Sequence, residues 1–366
     1  MNPVLSNISE EADVYKFTLK GINVSLANAI RRTILSDIPT VVFYTETNAG
    51  QCSIPINTTR LHNEILKQRL GCIPIYTSEL ETLPGNYTLE LDIQNETDAM
   101  IIVTTEHFKV KSKATGNYIT DEETRKLFPP CPKTNMFIDF ARIRPKIGAN
   151  IHGEQIKLTA EFSIHTAKEN GMFNVVSKCS YGNTTDVTRA SAAWSEREET
   201  LKSEQLPDDE IAFQKRNFML LDAQRYYVED SFDFVIQTLG VYENSEVVKK
   251  ACVVLQNKLN EIVLSIDDKS IPILNGETTM ENCYDIILEN EDYTIGKSLE
   301  YVLYSKHYAG DKSLTFCGFK KFHPHNDDST LRIAFKEPSS SVHVHEYLRG
   351  SCIELIELYK KVQGMF

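Results

Sequence analysis

Apolar and polar positions along this chain follow two periods, and the switches between them mark its elements. In residues 25–39, Leu26, Ile30 and Ile34 recur every four residues, with Ala27, Leu35 and Ile38 beside them. That spacing predicts a short α-helix with one apolar stripe. Ser25 is expected to cap it, its hydroxyl accepting from a free amide of the first turn, and Pro39 ends it. Arg31 and Arg32 project about 100° apart at the flanks of the stripe. Residues 291–304 echo this pattern, with Ile295, Leu299, Val302 and Leu303 on one helical face. Long amphipathic helices are predicted over 244–264 and, from Val344 to Val362, at the C-terminal end.

Alternation of apolar and polar residues predicts half-buried strands at 12–20 and 155–165. The β-branched and aromatic residues of 40–47 predict another. Strands are also expected at 173–181 and 231–239, and again at 283–289, 314–320 and 329–336. A helix is expected over 59–70, closed by Gly71 as a left-handed cap. Residues 86–148 read as short strands and turns, broken at Pro129-Pro130-Cys131-Pro132. Residues 183–216 are dominated by charged and hydroxyl side chains around Trp194, which predicts a loop with one solvated helix at 195–205. Residues 266–281 carry turn residues without a period and read as a linker. Each end of the chain therefore holds a strand, a short helix, further strands and a long closing helix. That plan predicts an α+β chain of two half-folds whose apolar helix faces pack together as an intramolecular pseudo-dimer.

Charge narrows the function. Lys and Arg number 39 and Asp and Glu 51, so 39 − 51 gives −12. An acidic chain is poorly suited to hold nucleic acid alone, because phosphate contacts need clustered Lys and Arg. Arg142, Arg144 and Lys146 form one small basic strip, read either as a solvated strand edge or as a contact for an acidic partner or a phosphate. The eight cysteines are scattered and none stands at C-x-x-C spacing, which argues against a closed zinc site. With no signal peptide and no long apolar run, reduced thiols and no membrane partner are expected.

No Gly-rich phosphate loop and no nucleophile with a readable base is present. Asp230 and Asp233 stand three apart in a strand and so face opposite ways. Two His-x-His pairs, His323/His325 and His343/His345, place imidazoles on one side of an extended segment, the geometry of some metal sites. A metal-dependent enzyme using them is the alternative reading.

The residues Asn28-Ala29-Ile30-Arg31-Arg32, Ile38-Pro39-Thr40, and His62-Asn63-Glu64 through Arg69-Leu70-Gly71 with Ile73-Pro74 resemble the α-like D-type subunit of multisubunit RNA polymerases, the third-largest subunit of the polymerase II type. Glu291-Asp292-Tyr293-Thr294-Ile295-Gly296, Cys317-Gly318-Phe319 and His323-Pro324 resemble the small L-type subunit, the eleventh of that polymerase. In that family the two form a heterodimer that starts assembly and docks the second-largest subunit. The chain departs from the family at its cysteines, since Cys52, Cys72 and Cys131 lack the spacing of the metal cluster many relatives carry. It also departs where Phe173 and Val175 replace the expected Trp and Pro.

The resemblance implies a D-type dimerisation domain at 1–47 and 149–265, an inserted mainly β domain at 48–148, a linker at 266–281 and an L-type dimerisation domain at 282–366. It implies a non-catalytic assembly scaffold of a DNA-directed RNA polymerase; because the cysteines depart from the family's cluster, no cofactor and no metal are expected. Leu26, Ile30, Ile34, Ile295, Leu299, Val302 and Leu303 are the expected internal interface. Arg31, Arg32, Glu64 and Arg69 are the expected docking residues. The implied partners are the second-largest, largest and small polymerase subunits, with little or no direct nucleic-acid contact. A fusion of this kind resembles the arrangement in large DNA viruses, implying a cytoplasmic factory or virion, and otherwise the nucleus.

Overall fold

A computed structural model describes residues 1–45, 51–148, 151–276 and 280–366. The end of the strand expected at 40–47, the expected domain bounds at 47–48 and at 149, and residues 277–279 of the expected linker lie outside the described residues. The chain forms two compact units, one of Met1–Ile34, Lys178–Gln237 and Asn244–Phe366, the other of Leu35–Ser177 and Thr238–Glu243.

In chain order the elements are β1 (Val4–Glu11), β2 (Val14–Lys20), α1 (Val24–Ser36), β3 (Thr40–Val42), β4 (Cys52–Asn57), α2 (Asn63–Gly71), β5 (Tyr87–Gln94), β6 (Ile101–Thr104), β7 (Lys109–Ser112), α3 (Asp121–Leu127), β8 (Asp139–Ile143), β9 (Gln155–Glu161), β10 (Ser163–His165), β11 (Val176–Thr185), α4 (Val187–Ser203), α5 (Asp208–Leu220), β12 (Tyr227–Thr238), α6 (Asn244–Asp267), β13 (Ile273–Asn275), β14 (Cys283–Leu288), α7 (Tyr293–Leu303), β15 (Leu314–Lys320), β16 (Ser329–Phe335) and α8 (Ser341–Gln363).

The first unit contains one topology twice. Its two four-stranded sheets run β1-β2-β12-β11 and β13-β14-β16-β15. In each, a strand pair leads to a short helix (α1, α7), then to two more strands and a long helix (α6, α8), and the strand order across the sheet is first, second, fourth, third. β13 falls inside the stretch expected to be a linker and pairs antiparallel with β14, from Ile273 opposite Ile286 to Asn275 opposite Tyr284. Both leading strands escape the sequence pattern for one reason: they are largely exposed edges, so no buried face imposes alternation. The long helices bury their stripes as the periodicity predicts, Val247, Ala251, Leu255 and Leu259 on α6 and Val344, Leu348, Leu355 and Tyr359 on α8.

Within this unit the segment 183–216, expected to be a loop with one solvated helix at 195–205, is instead the helical pair α4 and α5, the expected helix falling on the second half of α4. Their apolar residues are sparse because the pair closes a small core of its own, Ala190, Trp194, Leu201, Ile211, Phe218 and Ala223. Asp186 caps α4 by accepting from the Arg189 amide at 3.0 Å, and the Trp194 indole donates to Glu198 at 2.8 Å.

The second unit is built on the sheet β4-β9-β5-β7 and the pairs β6-β8 and β10-β3. Ile156, Leu158 and Ala160 of β9 alternate into its core beside Leu89 and Leu91 of β5 and Leu66 of α2. The strand expected at 155–165 is interrupted at Phe162, so that β9 pairs with β4 and β5 while β10 pairs with β3. Gly71 lies in the last turn of α2 and does not adopt the left-handed conformation expected of it. A Cβ there would stand 2.6 Å from the Met172 sulfur, an atom of a flexible side chain.

Candidate assembly interface

The two short helices begin in the same way. Asn23 caps α1, its Oδ1 accepting from the Ser25 amide at 2.9 Å, and Asp292 caps α7, its Oδ1 accepting from the Thr294 amide at 2.8 Å. Ser25 is therefore not the cap expected from the sequence; the helix starts two residues earlier, at Val24, and Asn23 supplies the acceptor. All seven expected interface residues, Leu26, Ile30 and Ile34 on α1 and Ile295, Leu299, Val302 and Leu303 on α7, are buried to 1% exposure or less. The Phe319 ring lies directly on α7, because Gly296 carries no side chain; a Cβ there would stand 2.0 Å from the ring.

Polar contacts join the two copies of the topology. Arg32 of α1 donates through Nη2 to Asp292 Oδ2 at 2.6 Å and through Nε to Thr294 Oγ1 at 2.9 Å. A guanidinium thus sits at the N-terminal cap of the opposite short helix. Burial pushes the Asp292 carboxyl up, but hydrogen bonds from Thr294 and the charge of Arg32 outweigh it and hold the group below its usual value. Lys258 of α6 lies 3.7 Å from Glu291, with little of either side chain exposed. The long helices run antiparallel: Gln256 donates to Gln363 at 2.9 Å, and Arg349 donates to Asp267 at 3.0 Å. Phe366 meets the Phe17 ring of β2 edge-on at 4.8 Å.

The four residues expected to dock a large subunit occupy different settings. Arg32 is engaged as described. Arg31 binds back to Asn28 Oδ1 of its own helix at 3.0 Å. Glu64 is exposed in the first turn of α2. Arg69, in the last turn of α2, donates to the Asp139 carbonyl at 2.7 Å. The basic strip is matched by acids: Arg144 pairs with Glu154 at 2.5 Å, Arg142 with Asp139 at 3.6 Å and Lys146 with Asp98 at 3.7 Å. Sequence reasoning missed Asp292, Lys258 and Gln256 as partners, although Asp292 is readable as a cap before an apolar helical run.

The histidine pairs do not assemble a site. His343 and His345 lie in the first two turns of α8 rather than in an extended segment, so two residues of separation turn them to different sides. His343 instead completes a capping box with Ser340. The His325 amide donates to the His323 ring at 3.1 Å within an exposed turn. Among the described residues no group of His, Cys, Asp and Glu stands close enough to hold a metal ion. Asp233 accepts from Thr18 at 2.6 Å and Thr184 at 3.0 Å, joining β2 and β11 to its own strand. The buried thiols of Cys252 and Cys352 are pushed up to about 12 by burial, which leaves them as small apolar side chains of the long helices.

Comparison with known proteins bears on these features. The family model described as the RNA polymerase Rpb3/Rpb11 dimerisation domain matches residues 16–259. That stretch runs from β2 into α6, and the second copy of the topology lies beyond it. The chain is 36% identical over 94 residues to DNA-directed RNA polymerase subunit Rpo3 of Pyrococcus furiosus, covering 24% of this chain and 34% of the relative. It is 23% identical over 292 residues to subunit 3 of DNA-directed RNA polymerases II, IV and V of Arabidopsis thaliana, covering 70% of this chain and 88% of the relative. It is 32% identical over 80 residues to DNA-directed RNA polymerase II subunit RPB3 of Schizosaccharomyces pombe, covering 22% of this chain and 24% of the relative. The matched stretch thus spans about a third of the archaeal protein and most of the plant one.

Proposed function

The chain belongs to the RNA polymerase Rpb3/Rpb11 dimerisation family, and from that premise we propose that it is a non-catalytic assembly subunit of a DNA-directed RNA polymerase carrying both members of the family's pair on one polypeptide. The observation that carries the second part is the repeated topology: a second sheet of the same strand order, with its own short and long helix, follows the matched stretch in the same compact unit. In this reading the seven buried residues of α1 and α7 form the shared core. Residues 268–272 then join the copies, and β13, within the stretch 266–281, supplies the first strand of the second one.

Arg32 braces this internal joint, since both donors that define its position are committed to α7. Its setting also favours unlike pairing. At the cap where the second copy carries Asp292 the first carries Asn23, so two N-terminal copies would set Arg32 against a neutral amide. Docking of the second-largest subunit is left to Arg31, Glu64 and Arg69. The partners are the two largest polymerase subunits and small subunits of the same enzyme. The fused arrangement, if viral, places the protein in a cytoplasmic factory or virion, and otherwise in the nucleus.

The test is co-expression of the tagged chain with the two largest subunits. Their recovery on the tag, together with no nucleotide incorporation by the isolated chain, is the expected result. Incorporation by the chain alone, or failure to recover either large subunit, overturns the proposal.

A further inference from the structure

We propose that a cleft in the second unit, ringed by Arg60, Arg69, Arg142 and Arg144, receives an acidic polypeptide segment of the docking partner. The inference rests on the assignment of Arg69 to docking and specifies the chemistry of what docks there.

The cleft has a volume of about 540 Å³. Four guanidinium groups meet two carboxylates in it, those of Asp139 and Glu154. The carboxylates are already committed. Glu154, whose side chain is 9% exposed, accepts from the Arg144 guanidinium at 2.5 Å and from the Arg144 amide at 2.7 Å. Asp139 lies 3.6 Å from Arg142. Arg69 has only the Asp139 carbonyl, and Arg60 makes no ion pair among the described residues. Two exposed guanidinium forks therefore point donors into a cleft with a surplus of two positive charges, 4 − 2, on a chain of net −12.

The backbone that carries the forks is held in place before any partner arrives. Arg69 projects from α2, and Arg142 and Arg144 from β8 and the residue after it. The loop bearing Arg60 is fixed by Asn57, whose side chain donates to the Leu61 carbonyl at 2.7 Å and accepts from the Thr59 amide at 3.0 Å. Met100, 53% exposed, adds an apolar wall.

A planar fork can match a carboxylate with two parallel hydrogen bonds, and the Arg144 guanidinium already holds one oxygen of Glu154 in this cleft. A phosphate backbone fits less well. It would carry repeated charge past Asp139 and Glu154, and nucleic-acid affinity grows with the number of phosphates contacted, for which two forks are few. The occupant is thus a segment with a pair of Asp or Glu side chains and an adjoining apolar residue for the Met100 wall.

The test uses the assembled polymerase, with a photoreactive benzoyl-phenylalanine placed at Arg60 and the adduct mapped by mass spectrometry. The expected adduct lies in a polypeptide segment bearing a pair of acidic residues. In parallel, Arg60→Glu is expected to weaken capture of that partner by roughly tenfold or more, most at low salt. Arg60 has no ion pair to lose among the described residues, and thermal unfolding of the variant checks that its fold is kept. An adduct on nucleic acid, an adduct on a segment without acids, no adduct, or undiminished capture by Arg60→Glu overturns the inference. An acidic adduct in a subunit other than the second-largest keeps the inference and overturns the docking assignment. A non-acidic adduct in the second-largest subunit does the reverse.

Discussion

Arg32 donates to Thr294 from one nitrogen and to the Asp292 carboxylate from another, so loss of the arginine strands a half-buried anion at the cap of α7. Because 36% of the Arg32 side chain stays exposed, solvent screening discounts the pair. Arg32→Ala is expected to lower stability by about 1–2 kcal/mol in chemical denaturation, with the exchanged pair Arg32→Asp and Asp292→Arg recovering part of that loss. A double variant no better than the worse single one contradicts the pairing. The carboxyl also sets a pH dependence. Its folded value lies below the ordinary 3.8, so its contribution is full above 3.8 and fades as pH falls through the lower folded value. Asp292→Asn should therefore be less stable than the parent at neutral pH, and the two should converge in acid; parallel stability curves down to pH 2 count against it. Arg31 and Arg32 stand out in the sequence as paired cations beside an apolar stripe. What Arg32 binds was not legible, because Asp292 is 260 positions away and no local period records a contact at that distance.

Helices show where small residues are needed for packing rather than for turning. Gly71 and Gly296 both lie inside helices, where alanine is intrinsically better by roughly 1 kcal/mol. At Gly296 a Cβ would meet buried Phe319 ring atoms at 2.0–2.3 Å, so Gly296→Ala is expected to destabilise by about 1–3 kcal/mol through overpacking. At Gly71 the nearest atom is the sulfur of Met172, the flexible part of a long side chain, so Gly71→Ala should change the melting temperature little. Equal shifts in the two variants contradict this account. The helices with dense stripes, α1, α6, α7 and α8, were legible because a wide buried face repeats every three or four residues. The hairpin α4–α5 was not, since Trp194, Leu201, Ile211 and Phe218 suffice to close its small core and leave a surface as polar as a loop. β1 and β13 were illegible for the opposite reason: edge strands with little buried face carry no period.

At the scale of the molecule, one strand order occurs twice, and the second occurrence depends on β13, which the sequence hides among turn residues. A covalent tether makes pairing of the copies intramolecular, with an effective concentration on the order of mM. Against separate subunits at about 1 µM, that advantage corresponds to roughly 4 kcal/mol. The tether therefore assists a pairing that the buried helix faces should sustain without it. Leu299 has no exposure, and Leu299→Asp, by burying a charge there, should separate the copies when they are produced as two chains. The direct measurement is native mass spectrometry of co-expressed fragments 1–272 and 273–366, cut between the end of α6 at Asp267 and the start of β13 at Ile273. A one-to-one complex, lost on Leu299→Asp, is the predicted result. Two folded fragments that elute separately would show that each copy closes its own core, and the reading of the chain as a fused pair would fall.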